Sequence, residues 1–333
     1  MFSLLLQFVL LSLIPAGCGR PDCSVHRETR MLMGTVVSVE IGAANRAQVS
    51  EILDPVWKQA VSLEKIFSRY QSESEVSRIN RQSSFSPVEI SEPMKKVLAE
   101  SERISRLTGG AFDITVAPLM ELWGFFPKRE GKLPPPEELE EVSALVGWEG
   151  VGFDPKAGTV SLAEEGMAID LGGVAKGYIV DRMVESLRKK GVKSALVNAG
   201  GDIYGLGERP GGGPWRIGVE HPRREGELIS VIELKDRAVA TSGDYRNYFI
   251  RGKKRYSHII DPRTGKPARN GVIEVSIIAP DCLTADGLAT AVSILEVEKG
   301  LEIINRLEGV EGIIVVQNEK EPRIFYSRGI GDE

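Results

Sequence analysis

Ile169-Asp170-Leu171-Gly172-Gly173-Val174-Ala175-Lys176-Gly177-Tyr178 is the stretch from which the architecture of this chain can be read outward. The apolar run over 167–171 reads as a strand, the paired glycines as a turn, and the residues to about position 189 as a helix. Glycines let a backbone approach a partner closely, and a helix start presents unpaired N–H groups to an anion. Lys176, on the first helical turn, adds a point charge suited to phosphate. The spacing is neither Gly-x-x-x-x-Gly-Lys-Ser/Thr nor Gly-x-Gly-x-x-Gly, and a plain glycine-capped strand-to-helix turn would use the same residues.

Upstream of this stretch, residues 31–41 alternate with β-branched residues and read as a strand. Residues 49–67 and 93–107 carry apolar side chains at helical spacing. Pro134-Pro135-Pro136 leads into a helix over 137–146. Strands are expected at 158–162, 194–198, 215–220, 227–234, 238–241, 248–251 and 273–279. Two helices, 285–295 and 297–307, then precede strands at 312–317 and 323–326. This order is neither strict βαβ alternation nor strands alone, so the class is α+β, mixed sheets with packed helices. Candidate chemical motifs lie on both sides of the proline-rich stretch, which favours one catalytic unit over 30–330.

Composition narrows the function. The 333 residues are 42% hydrophobic and 27% charged, as in a soluble globular protein, and the net charge of −5 argues against a nucleic-acid partner. Three cysteines (Cys18, Cys23, Cys282) and three histidines (His26, His221, His258) are too scattered for a disulfide framework or a zinc centre. Any metal is therefore expected to be a hard cation on oxygen ligands. Residues 2–14 are almost wholly apolar, too short to span a bilayer, and followed by Pro15-Ala16-Gly17-Cys18. This resembles a bacterial lipoprotein signal over 1–17, with lipid on Cys18 and a polar tether over 18–29. Two features depart from that pattern: no Lys or Arg precedes the apolar run, and Pro15 stands where Leu is usual. An uncleaved anchor or ordinary secretory signal is the alternative. The expected location is the cell envelope, membrane-tethered and facing the periplasm or exterior.

Four further motifs stand out. Asn198-Ala199-Gly200-Gly201-Asp202 is a second glycine turn, and also a good hairpin sequence. Thr108-Gly109-Gly110-Ala111-Phe112-Asp113 ends a helix; Phe112 could stack on a flat ring and Asp113 accept hydrogen bonds from it, or the segment is helix punctuation with a core aromatic. His258, ahead of Asp261-Pro262-Arg263-Thr264-Gly265, is a candidate general base. Asp286 and Thr290 lie four apart on one helix face, where a carboxylate, a hydroxyl and a backbone carbonyl suit Mg²⁺; helix capping is the plainer reading.

Taken with Met33-Gly34-Thr35, Phe67-Ser68-Arg69-Tyr70, residues 74–80, Trp123-Gly124-Phe125 and residues 240–245, these motifs follow one another in an order that resembles the ApbE-type flavin transferases, from about residue 30 to 326. The resemblance implies transfer of FMN from FAD to a Thr or Ser of a target protein, through a phosphoester, with release of AMP and a need for Mg²⁺. It places Met33, Tyr70, Ala111, Phe112, Asp113, Asp170, Lys176 and Ile260 around FAD. It places the metal between the Gly173 carbonyl, Asp286 and Thr290. His258 is the first candidate to deprotonate the acceptor and Asp286 the second. Two other readings remain open: a Mg²⁺-dependent FAD pyrophosphatase giving FMN and AMP, and a non-catalytic flavin-binding lipoprotein.

Overall fold

The computed structural model describes residues 24–43, 46–126, 131–224, 226–245, 247–318 and 321–330. The expected signal, Cys18 and the first part of the tether lie outside these residues. Eight strands form one sheet in the order Ser24–Leu32, Thr35–Ala43, Ala195–Ala199, Asp202–Leu206, Arg237–Gly243, Val272–Ala279, Glu311–Val316 and Arg323–Tyr326. Every neighbouring pair is antiparallel. Successive side chains of a strand face opposite ways, and the sequence uses this alternation to build two cores. Val37, Val39, Ile41, Ala195, Val197, Ala238, Ala240, Val275 and Ile277 face the larger one. Leu196, Ile203, Val239, Ile278, Ile313 and Val315 face the smaller, where the hairpin Trp215–Glu220/Leu228–Leu234 covers the sheet.

Over the larger core lie the helices Arg46–Phe67, Ala175–Lys189 and Cys282–Val292, with Glu92–Thr108 packed against the last. Cys282–Val292 is apolar almost all round, as a helix enclosed by sheet and helices must be. Its N-terminus is held twice: Asp281 caps the Thr284 N–H at 2.8 Å, and Asp181 accepts from Cys282 and Leu283 at 2.8 and 2.9 Å. Burial drives the Asp181 carboxyl up to about 7, against the pull of those two N–H groups.

Three expectations are corrected. The single strand over 31–41 is a hairpin that turns at Met33-Gly34, both with positive φ (53° and 69°). Its first strand begins at Ser24, so residues 24–29 belong to the sheet and not to a tether. Residues 167–171 pair with none of the described strands. Ile169 is held on both sides by the Asn80 side-chain amide (3.0 and 2.8 Å), and the Asp170 N–H donates to the Ile114 carbonyl at 2.7 Å. The extended backbone was legible, but its partners are an amide and a loop carbonyl. The remaining expected strands and helices are present with ends shifted by a few residues.

Candidate active site

Where the helical layer meets the sheet, a cavity of about 710 Å³ opens. All twelve candidate residues within the described part of the chain line it: Met33, Tyr70, Ala111, Phe112, Asp113, Asp170, Gly173, Lys176, His258, Ile260, Asp286 and Thr290. They come from segments spread over most of the fold.

The charged centre is built by a close helix crossing. Gly177 has no side chain because none fits: a Cβ there would collide with the Cys282 carbonyl and come within 2.9 Å of the Asp286 Cβ. That contact lets the Gly177 N–H, in the first turn of Ala175–Lys189, donate to Asp286 Oδ2 at 3.1 Å. Lys176 Nζ lies 3.1 and 3.2 Å from the two oxygens of the same carboxylate. On its other side it reaches Asp202 Oδ2 at 2.7 Å, with Asp202 almost fully buried behind the cavity wall. Burial favours the neutral amine, but Asp202 and then Asp286 outweigh it and hold the Lys176 ammonium above its ordinary pKa. Two carboxylates on one ammonium leave this centre one negative charge in excess.

One turn along, the Thr290 hydroxyl donates to the Gly173 carbonyl at 3.3 Å, so a carboxylate, a hydroxyl and a carbonyl of the expected metal set adjoin one another. A Cβ at position 173 would press within 3.0 Å of Thr290 Oγ1, and glycine keeps that space open. No group of three or more His, Cys, Asp or Glu side chains placed to hold a metal ion occurs among the described residues. An oxygen set with a single carboxylate fits a hard cation that keeps several of its waters, and fits zinc poorly.

Asp170 turns back on its own loop, accepting the Gly172 N–H at 2.8 Å. Its other oxygen takes Arg69 at 2.7 Å, and Arg69 also reaches Glu121 at 2.8 Å beneath the ring of Phe126. Tyr70 is exposed at the rim, edge-on to Phe126. Met33 is fixed in its positive-φ turn by its N–H to Glu64 at 2.6 Å. Ala111, Phe112 and Ile260 give buried apolar wall. Asp113 accepts from the Thr115 N–H and hydroxyl at 2.8 and 2.6 Å; burial raises its carboxyl above the ordinary value despite them. As built, it caps a short 3-10 turn, Ile114–Val116.

His258 Nδ1 lies 3.0 Å from the Asn247 carbonyl. A carbonyl can only accept, so Nδ1 carries the proton and Nε2 is the basic nitrogen of the neutral ring. Arg69 and Asp202 were quoted in the sequence only as parts of motifs. Their contacts run to residues about 100 and 26 positions away, which spacing does not display.

The ApbE family profile matches residues 33–314. The chain belongs to the ApbE family. The FAD:protein FMN transferase of Vibrio cholerae is 37% identical over 301 residues, 87% of each chain. That of Haemophilus influenzae is 40% identical over 245 residues, 72% of this chain and 71% of that relative. Among solved structures, the flavin transferase ApbE from Vibrio cholerae superposes with a TM-score of 0.81 at 32% identity, covering 92% of this chain and 98% of that one. The ApbE protein from Thermotoga maritima gives 0.83 at 35% identity, with the same coverages. The α+β class expected from the order of elements is the architecture these ApbE structures share.

Proposed function

We propose that this protein transfers the FMN moiety of FAD to a Thr or Ser hydroxyl of an acceptor protein and releases AMP. The observation that carries this reading is a cavity that joins buried apolar walls to an oxygen-rich, cation-seeking centre. Flavin and adenine rings need flat apolar surface, and a diphosphate needs positive charge beside it.

Gly173, Asp286 and Thr290 would hold Mg²⁺, which when bound supplies neutralising charge to the diphosphate. Lys176, kept protonated by Asp202, presents a second positive charge in the same cavity. Met33, Ala111, Phe112 and Ile260 enclose the ring systems, while Tyr70 sits at the rim and Asp113 and Asp170 hold the loops around them. The acceptor oxygen forms a bond to the phosphorus of the FMN half as the bond from that phosphorus to the bridging oxygen breaks. The hydroxyl proton passes to His258 Nε2, and the electron pair of the broken bond leaves on AMP. Positioning and fixed charge supply most of the acceleration, as in other phosphoryl transfers.

The reading is tested by incubating the protein with FAD, Mg²⁺ and a Thr-containing acceptor and weighing the acceptor by mass spectrometry. A gain of one FMN, with one AMP released per acceptor modified, is expected. AMP release independent of acceptor would replace transfer by FAD hydrolysis, and no FAD turnover would leave only a flavin-binding protein. The apolar run ahead of Cys18 further supports a lipid-anchored protein of the cell envelope, acting on exported or membrane redox proteins.

A further inference from the structure

Residues 245–260 hold five Lys or Arg and no Asp or Glu, in a chain whose net charge is −5. The structure makes of them a separate two-stranded hairpin, Tyr248–Arg251 and Lys254–Ser257. Its inner side is anchored: Phe249 stacks on Tyr256 at 5.1 Å and meets Phe125 at 5.5 Å. Its outer side leaves Tyr248 and Ile250 exposed, Ile250 by 62%, with the Arg255 guanidinium lying 4.1 Å over the Tyr248 ring.

The tip is a two-residue turn, Gly252-Lys253, with both φ positive (52° and 67°). Such turns favour Asn or Gly, and a lysine in the left-handed region costs on the order of 1 kcal/mol. Arg251, Lys253 and Lys254 surround that tip and are all exposed. The hairpin's feet are Asn247 and His258, joined by hydrogen bonds and both in the wall of the active cavity. At its base, Arg255 and Ser257 also line a second cleft, of about 400 Å³, with Arg223 and Arg269. The carboxylate in that cleft, Asp244, is already held by Arg223 at 3.2 Å.

An edge hairpin rich in lysine often serves only to discourage strand addition. Here the same strands also expose Tyr248 and Ile250, and the hairpin stands directly on the candidate base. The geometry points to this hairpin as the docking surface for the acceptor protein, through an acidic segment flanking the hydroxyl to be modified. This rests on the transfer reading above and names the partner's chemistry. Carboxylates of that segment would meet Arg251, Lys253 and Lys254, its apolar residues Tyr248 and Ile250, and its hydroxyl would enter the cavity past His258. Charge complementarity of this kind acts chiefly on encounter and register, so it fades with salt.

The test uses the triple variant R251E/K253E/K254E, outside the cavity, with two Thr-containing acceptor peptides alike except for four flanking Asp residues in one and four Asn in the other. Wild type is expected to transfer FMN to the acidic peptide with a KM at least tenfold lower at 50 mM than at 500 mM salt. The variant is expected to raise that KM at least tenfold while leaving KM for FAD, and transfer to the Asn peptide, within twofold. Equal use of both peptides by wild type, or no change of KM in a variant that still turns over FAD, would overturn the docking surface alone. Binding to phosphatidylglycerol vesicles that the variant loses, with peptide kinetics unchanged, would also overturn it in favour of a lipid surface. Transfer by wild type to neither peptide nor a folded acceptor would overturn the functional reading, and the docking surface with it.

Discussion

Lys176 Nζ and Asp202 Oδ2 lie 2.7 Å apart at the back of the active cavity, the carboxylate almost wholly removed from solvent. Lys176 is the cation of two buried carboxylates, and removing it strands both. Lys176→Met is therefore expected to cost about 3–5 kcal/mol of stability in denaturant unfolding. It is also expected to weaken FAD far more than riboflavin. Adding Asp202→Asn should restore much of the stability and none of the FAD affinity. Equal losses for FAD and riboflavin would contradict a phosphate role for Lys176.

Gly177→Ala places a methyl group against the Cys282 carbonyl and the Asp286 side chain. Overpacking of this kind costs about 1–3 kcal/mol. Because the helices must part, Asp286 also moves away from the Gly177 N–H. Turnover of FAD is expected to fall by more than the loss of folded protein explains, measured by AMP release per folded molecule.

Asp286→Asn keeps the shape of the side chain and an acceptor for the Gly177 N–H, while Lys176 retains Asp202. The melting temperature should change by only a few degrees, yet turnover should fall at least a hundredfold at low Mg²⁺. Normal activity of the variant under that condition would rule out Asp286 as a ligand of the proposed Mg²⁺.

The Asp181 carboxyl is raised to about 7 by burial, so the folded state holds that proton more tightly than the unfolded chain does. Its contribution to stability is fully present below about pH 4 and is lost as pH rises to about 7, on the order of 4 kcal/mol. Asp181→Asn, which still accepts from the start of Cys282–Val292, should flatten this part of the stability-versus-pH curve. Denaturation midpoints at half-unit steps between pH 4 and 8 measure it.

Cys18→Ser is expected to move the protein from the membrane fraction to the soluble fraction. Retention in the membrane would indicate that residues 2–14 anchor the chain uncleaved.

The helices were legible because apolar spacing and capping residues lie within a few positions of one another. Most strands were legible through their alternation. The hairpin at Met33-Gly34 was hidden because residues 31–41 alternate straight through it, interrupted by the positive φ of Met33 and Gly34. Residues 167–171 looked like a strand because an apolar extended segment is the same sequence whether it pairs with a strand or with the Asn80 amide. In the site, the motif residues were visible one by one and their convergence was not. The Arg69–Asp170 and Lys176–Asp202 pairs are tertiary contacts, and the tautomer of His258 depends on a carbonyl eleven positions away.

The active cavity takes its walls from Met33 at one extreme and from Thr290 and Ile294 at the other. No shorter run of the chain contains the parts of a catalyst. During synthesis the helix that carries Asp286 and Thr290 emerges late, so a polypeptide cut short ahead of it lacks part of the cavity wall. Chemistry in this protein thus waits until segments as far apart as Met33 and Ile294 have been made and folded against one another.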